Sequence, residues 1–174
     1  MVTKPSIKQH TIEKEVSLEG VGLHTGKPVK LVFVPADENV GIHFIRTDLE
    51  GDPKIPALID YIKEDHTTAS LRGTNLCKDG ADVFTVEHVL AALAGMQIDN
   101  CYVKISASEP PIMDGSAIEF VKVLKIAGRK MQDAPRKYVE ITEQIGFKNE
   151  KQGTEIAVLP SPEFRMTVMT DYKN

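Results

Sequence analysis

The order of segments predicts an α+β chain: β-like stretches occupy the first third, two amphipathic helices follow between residues 82 and 128, and strands resume after 136. Three observations carry this. Aliphatic and β-branched residues alternate or cluster over 11–18, 29–34 and 41–46, each stretch bounded by glycine, proline or charge. Apolar residues then recur at helical spacing as Val86, Val89, Leu90 and Leu93, and again as Phe120, Val121, Leu124 and Ala127. With 41% hydrophobic and 26% charged residues, the chain also has the balance of one that buries a core.

The first strand, 11–18, places Ile12, Val16 and Leu18 on one side. Glu-Gly-Val-Gly-Leu-His-Thr-Gly at 19–26 follows, and its glycines permit a turn that holds His24 at a loop tip. Strand 29–34 is stopped by Pro35, strand 41–46 comes next, and a fourth is expected over 67–71 before a turn at Lys78-Asp79-Gly80. Asp82 or Thr85 is expected to cap the first helix, which ends near Gly95. Opposite its core face stand Glu87, His88, Ala91, Ala92 and Gly95; beyond the charged pair these are small residues, and the surface is expected to be covered by another backbone or helix. Strand 101–105 ends before Pro110-Pro111, and Ser116 with Glu119 has the spacing of a capping box for a second helix ending near Gly128.

Residues 129–136 are polar and read as a linker, after which strands are expected over 137–142, 154–159 and 164–170. A faint repeat accompanies them: strand, glycine-containing loop, strand closed by a proline (Pro35, Pro160), third strand. The second copy ends without a helix to cover its sheet. The expected organisation is therefore a first domain over 1–130, then over 131–174 a linker and the opening strands of a similar, incomplete domain in a longer polypeptide. An uncovered sheet face also implies self-association of such a fragment.

A net charge of −4, with 21 Lys and Arg scattered rather than clustered, excludes a nucleic-acid surface. No apolar run approaches the roughly 20 residues that span a bilayer. Cys77 and Cys101 make no disulfide framework, and the N-terminal segment lacks the apolar stretch of a signal peptide, so a reducing, cytoplasmic location is expected.

Glu87 and His88 are the only ionisable residues between Asp82 and Asp99. At a helix start the unpaired N–H groups and the dipole favour a carboxylate. A neutral imidazole offers a lone pair to zinc, and an adjacent carboxylate that does not bind the metal is placed to take a proton from water. The same pair also fits an ordinary surface, with Glu87 complementing the dipole and His88 hydrogen-bonded and half-buried. A catalytic zinc needs three protein ligands, and none of His10, His24, His43 or His66 has a His, Asp or Glu four residues later. Spacing alone supplies one ligand and leaves both readings open.

Three segments together resemble UDP-3-O-acyl-N-acetylglucosamine deacetylase, the zinc enzyme family of lipid A synthesis. They are 19–26, Thr-Val-Glu-His-Val-Leu-Ala-Ala-Leu-Ala-Gly at 85–95 followed by Ile-Asp-Asn, and Pro-Ile-Met-Asp-Gly-Ser-Ala at 111–117; Phe-Ile-Arg-Thr-Asp-Leu at 44–49 adds a fourth. The resemblance implies two similar α+β domains, each a sheet layer on helices. It implies His88 as a zinc ligand and Glu87 as the general base that activates zinc-bound water to remove acetate from a UDP-linked, acylated glucosamine. By the same resemblance His24, His66 and Thr67 contact substrate. The family's remaining ligands, a His and an Asp four apart on a later helix, have no counterpart in these 174 residues, so this chain alone is expected to be inactive. Some members are fused to an acyl-carrier-protein dehydratase, which makes a fused dehydratase domain an expected partner. The competing expectations are a non-catalytic module of the same fold that binds a nucleotide sugar or a protein, and a self-contained hydrolase using His24, His66 and His88.

Overall fold

The computed structural model describes residues 7–63, 73–151 and 153–171. They fall into two compact units, Met1–Arg136 and Lys137–Asn174. The content is mixed sheet and two helices, as expected of an α+β chain.

The first unit is built on a five-stranded sheet. Its strands are β2 (Val16–Val21), β3 (Pro28–Pro35), β4 (Ile42–Arg46), β5 (Lys54–Pro56) and β8 (Cys101–Ile105), in the spatial order β2-β3-β8-β4-β5. All neighbours are antiparallel except β4 and β8. Phe33 pairs with Val103, Val103 with Phe44, and Phe44 with Ile55, so one row of buried side chains crosses the sheet. Along β3 the buried Val29, Leu31 and Phe33 alternate with Lys30, Val32 and Val34, so one face enters the core and the other is only partly covered.

Two helices supply the rest of the core: α1 (Glu87–Gly95) through Val89, Ala92 and Leu93, and α2 (Ile118–Ala127) through Phe120, Leu124 and Ala127. The Phe120 ring meets Phe33 edge-on at 6.4 Å between centroids. Ala92, expected on the outer side of α1, is buried, while Ala91 and Gly95, expected on a surface that another backbone covers, are exposed. Among the described residues no helix is long and apolar enough to cross a membrane.

Several expectations are corrected. The stretch 11–18 is not one strand: β1 (Lys8–Ile12) ends where Glu13, Lys14 and Glu15 expose three successive charges, and β2 starts afresh. The polar stretch read as a linker is a strand, β9 (Arg129–Pro135), antiparallel to β1. Its side chains are mostly exposed, so it carries no hydrophobic alternation, and backbone pairing alone defines it. The Lys78-Asp79-Gly80 turn forms as expected, with φ of 51° at Asp79 and 81° at Gly80, joining β6 (Leu76–Lys78) to β7 (Ala81–Val83). Cys77 therefore lies on a strand, and the thiol of Cys101, buried in the sheet, is pushed up to about 12 by that burial. Neither cysteine is in a disulfide. The strand expected over 67–71 lies outside the described residues.

Neither helix start is capped as expected. α1 begins after Val86 with no side-chain cap, and α2 begins after Ala117, where the Ser116 hydroxyl accepts the Ile118 N–H at 3.2 Å while Glu119 pairs with Lys122 instead. In the second unit, β10 (Ile145–Asn149) and β11 (Thr154–Val158) form an antiparallel hairpin. Segments 137–142 and 164–170, expected as strands, are not in one; their β-branched residues lack a ladder partner among the described residues, and strand preference counts for little without one.

A buried amide joins β1, β9 and the sheet. Asn100, 1% exposed, accepts the Gly41 N–H at 2.7 Å and donates to Gln9 Oε1 and Gln132 Oε1, each at 2.8 Å. Beside it Asp99 takes the His10 N–H at 2.7 Å and a two-point contact from Arg136 at 2.7 and 2.8 Å. Asn100→Ala takes a partner from the half-buried Gly41 N–H and Gln132 Oε1, while Gln9 Oε1 keeps the Asn39 N–H at 2.9 Å, and is expected to lower stability by about 1–3 kcal/mol in urea unfolding with an unchanged slope. A loss near zero would show that these groups find other partners.

Candidate functional site

Glu87 opens α1, and its Oε2 accepts the Thr74 N–H at 2.9 Å. Gly73 stands alongside: a β-carbon there would lie 3.4 Å from Glu87 Oε1 and 3.5 Å from Thr85 Oγ1. The carboxylate is thus set against the 73–74 main chain and Thr85. His88, next along, is half-buried. Val89 turns into the core immediately after, which fixes the rotation of the helix and hence the direction of the pair.

Thr85 has φ of 54°, rarely adopted by a β-branched residue, and its hydroxyl does not cap α1. It donates instead to Glu109 Oε1 at 2.9 Å. Glu109 is 1% exposed and was not anticipated as a site residue. Its Oε2 accepts the Thr25 N–H at 2.9 Å, the Thr25 hydroxyl at 3.0 Å and the His24 N–H at 3.0 Å, and Oε1 also lies 3.2 Å from that last donor. Burial pushes this carboxyl up, but the bonds from the Thr25 main chain, both threonine hydroxyls and the His24 main chain outweigh it and hold it below the usual glutamate range.

The loop around His24 is shaped to admit that carboxylate. Gly22 donates to the Lys27 carbonyl and accepts from Gly26, each at 3.0 Å, and Gly26 has φ of 62°. A β-carbon on Gly22 would fall 2.3 Å from Thr25 Oγ1 and 2.5 Å from Glu109 Oε2. Beyond Glu109, Gly22 bridges to Pro111, and the Ile112 N–H meets the Val21 carbonyl at 2.9 Å. The 19–26 and 111–117 segments are therefore adjacent, and Glu109 ties the first of them to the residue two before Glu87.

Of the expected site residues, Glu87 and His88 sit together at the start of α1, and the main chain of His24 is brought to the same region while its side chain is exposed. His66 and Thr67 lie outside the described residues. Among the described residues no group of three or more His, Cys, Asp or Glu is arranged to hold a metal. Glu109 had one signal in the sequence: it is the only ionisable residue between Lys104 and Asp114 and precedes two prolines. Its donors, though, come from positions 24, 25 and 85, which spacing does not connect.

The family model for UDP-3-O-acyl N-acetylglycosamine deacetylase matches residues 9–174. The chain belongs to this deacetylase family. It is 48% identical over 168 residues to the bifunctional enzyme LpxC/FabZ of Chlorobaculum tepidum, covering 97% of the chain and 35% of that relative. It is 42% identical over 166 residues to the UDP-3-O-acyl-N-acetylglucosamine deacetylase of Hahella chejuensis, covering 95% and 53%. A bifunctional LpxC/FabZ of Bacteroides thetaiotaomicron is 40% identical over 166 residues, covering 95% and 35%. The chain thus spans about half or less of the length of these curated relatives.

Gly22→Ala is expected to cost about 3 kcal/mol, from overpacking and weakened bonds to Glu109, against about 1–2 kcal/mol for Gly26→Ala, where only the left-handed backbone objects. Thermal unfolding of the two variants checks the order, and equal losses would mean that the loop moves aside. For Glu109 the folded value lies below the unfolded one, so its contribution is complete above the ordinary glutamate range and is lost as pH falls through the lowered value. The stability gap between wild type and Glu109→Gln should accordingly narrow on acidification in urea titrations at stepped pH. A gap that stays constant would show that the charge is not what stabilises.

Proposed function

We propose that this chain is the N-terminal part of a zinc-dependent amide hydrolase that removes acetate from a UDP-linked, 3-O-acylated N-acetylglucosamine in lipid A synthesis, in the cytoplasm. Glu87 is the general base and His88 a metal ligand, while His24, His66 and Thr67 contact substrate. The observation that carries the reading is the family match combined with the carboxylate and imidazole at the start of α1. A fused dehydratase domain belongs to the same reading, supported by the two bifunctional relatives. So does a second, similar α+β domain that begins within 131–174.

The described residues do not by themselves fit a zinc ion: they offer one imidazole beside a carboxylate, and no group of three donors. The remaining donors are proposed to come from sequence that the longer relatives possess, and the 174-residue chain is proposed to be inactive alone. What this chain contributes is orientation and a base. The Thr74 N–H holds one oxygen of Glu87, which points the carboxylate in a set direction. Glu87 then takes a proton from the attacking water and returns one to the leaving amine nitrogen as the C–N bond breaks.

In the full-length enzyme, Glu87→Ala should lower acetate release by about 10²–10⁴-fold with zinc content unchanged, whereas His88→Ala should lose zinc as well. Acetate assays alongside metal analysis check this. Equal zinc loss in both variants would make Glu87 a ligand, and no acetate release by the full-length wild type would favour a binding module of the same fold.

A further inference from the structure

We propose that Glu109 is a positioning residue for this site: its buried carboxylate fastens the main chain at His24 and Thr25 to Thr85, and so sets where the His24 side chain stands relative to the start of α1. The proposal rests on the reading of His24 as a substrate contact and adds the part that holds it in place.

Four features of Glu109 point beyond a local turn. It is 1% exposed, and no ion pair to it is formed among the described residues, so its charge is balanced by neutral donors. Such a burial is strongly unfavourable unless donors surround the oxygens. Those donors belong to two separate segments: Oε2 holds the Thr25 N–H and hydroxyl at 2.9 and 3.0 Å with the His24 N–H at 3.0 Å, and Oε1 holds the Thr85 hydroxyl at 2.9 Å. The carboxylate thus spans from the His24 loop to the residue two before Glu87.

Gly22 keeps clear the space that this carboxylate fills, since a β-carbon there would come within 2.5 Å of Oε2. Thr85, finally, is held at φ 54°, a strained conformation for a β-branched residue that persists only under constraint. Its constraints are the bond to Glu109 and the bond from its N–H to Asn75 Oδ1 at 3.1 Å. Glutamine is a weaker replacement: its amide NH₂ faces the Thr85 hydroxyl only if that hydroxyl reverses to accept, and the charge that strengthens all four bonds is lost. His24 itself keeps its side chain exposed on a main chain whose N–H is held by Glu109.

The test is a double-mutant cycle in the full-length enzyme between Glu109→Gln and His24→Ala, reading kcat, KM for the UDP-linked acylated sugar and zinc content. Each single change should raise KM about tenfold with zinc content kept, and the double variant should be no worse than His24→Ala alone. Thr25 amide exchange, followed by NMR in the 174-residue chain, should speed up in Glu109→Gln by at least about tenfold. If His24→Ala acts but the two effects multiply, or Thr25 exchange is unchanged, the inference is overturned while the reading of the site survives. A neutral His24→Ala overturns that reading and this inference with it. Should Glu109→Gln fail to fold, Thr85→Val removes one hydroxyl at constant shape and runs the same cycle, with additive effects again the overturning result.

Discussion

A negative charge shut away from water, with no ion pair to it among the described residues, is the constraint around which the first unit is arranged. Glu109 can sit at 1% exposure only because main-chain and hydroxyl donors from positions 24, 25 and 85 close on its two oxygens. None of these donors is near it in sequence, so the charge is satisfied only when the sheet, the 19–26 loop and the start of α1 are all in place. The same dependence runs the other way. With the carboxylate seated, the loop and the helix start share one anchor, and Gly20 and Gly22 allow the 109–112 strand of chain to lie directly against β2, where a β-carbon on Gly20 would come 2.9 Å from that of Pro111.

The segment that leads from α1 back to β8 carries a second polar cluster built on different chemistry. Asn100 is neutral and uses one acceptor and two donors, whereas Asp99 is met by Arg136 in a two-point contact. Both residues lie between α1 and β8, so the helix returns to the sheet through them. Between the two clusters Val89, Ala92 and Leu93 pack into the core. With polar contacts on the segments before and after it and apolar packing along one face, α1 has little freedom to rotate or slide, which fixes where Glu87 and His88 stand at its start.

Much of this was legible in the residues, for identifiable reasons. Val89 and Leu93 declared α1, and the run ending at Pro35 declared β3, because burying one face imposes a period on the sequence. Asp79-Gly80 announced its turn through the demand for two positive φ values. The Glu87-His88 pair was conspicuous because the surrounding residues are uncharged. By contrast β9 was missed: an edge strand with outward side chains leaves no apolar period. The capping roles given to Thr85 and Ser116 went astray because their hydroxyls had other calls on them, Glu109 in one case and an exposed turn with Asp114 in the other.

What the sequence by itself determined was the α+β class, the core faces of both helices, and the chemical pair at the start of α1, all properties carried by residues within one or two turns of each other. Only the tertiary structure decided that a polar stretch after α2 pairs with β1, that Asn100 binds three segments, and that Glu109 joins His24 to Thr85. The physical reason is one of range. Hydrophobic burial is non-directional and writes itself as a local pattern, whereas a buried polar group is satisfied by particular donors at particular angles, and the chain brings those together from anywhere along its length.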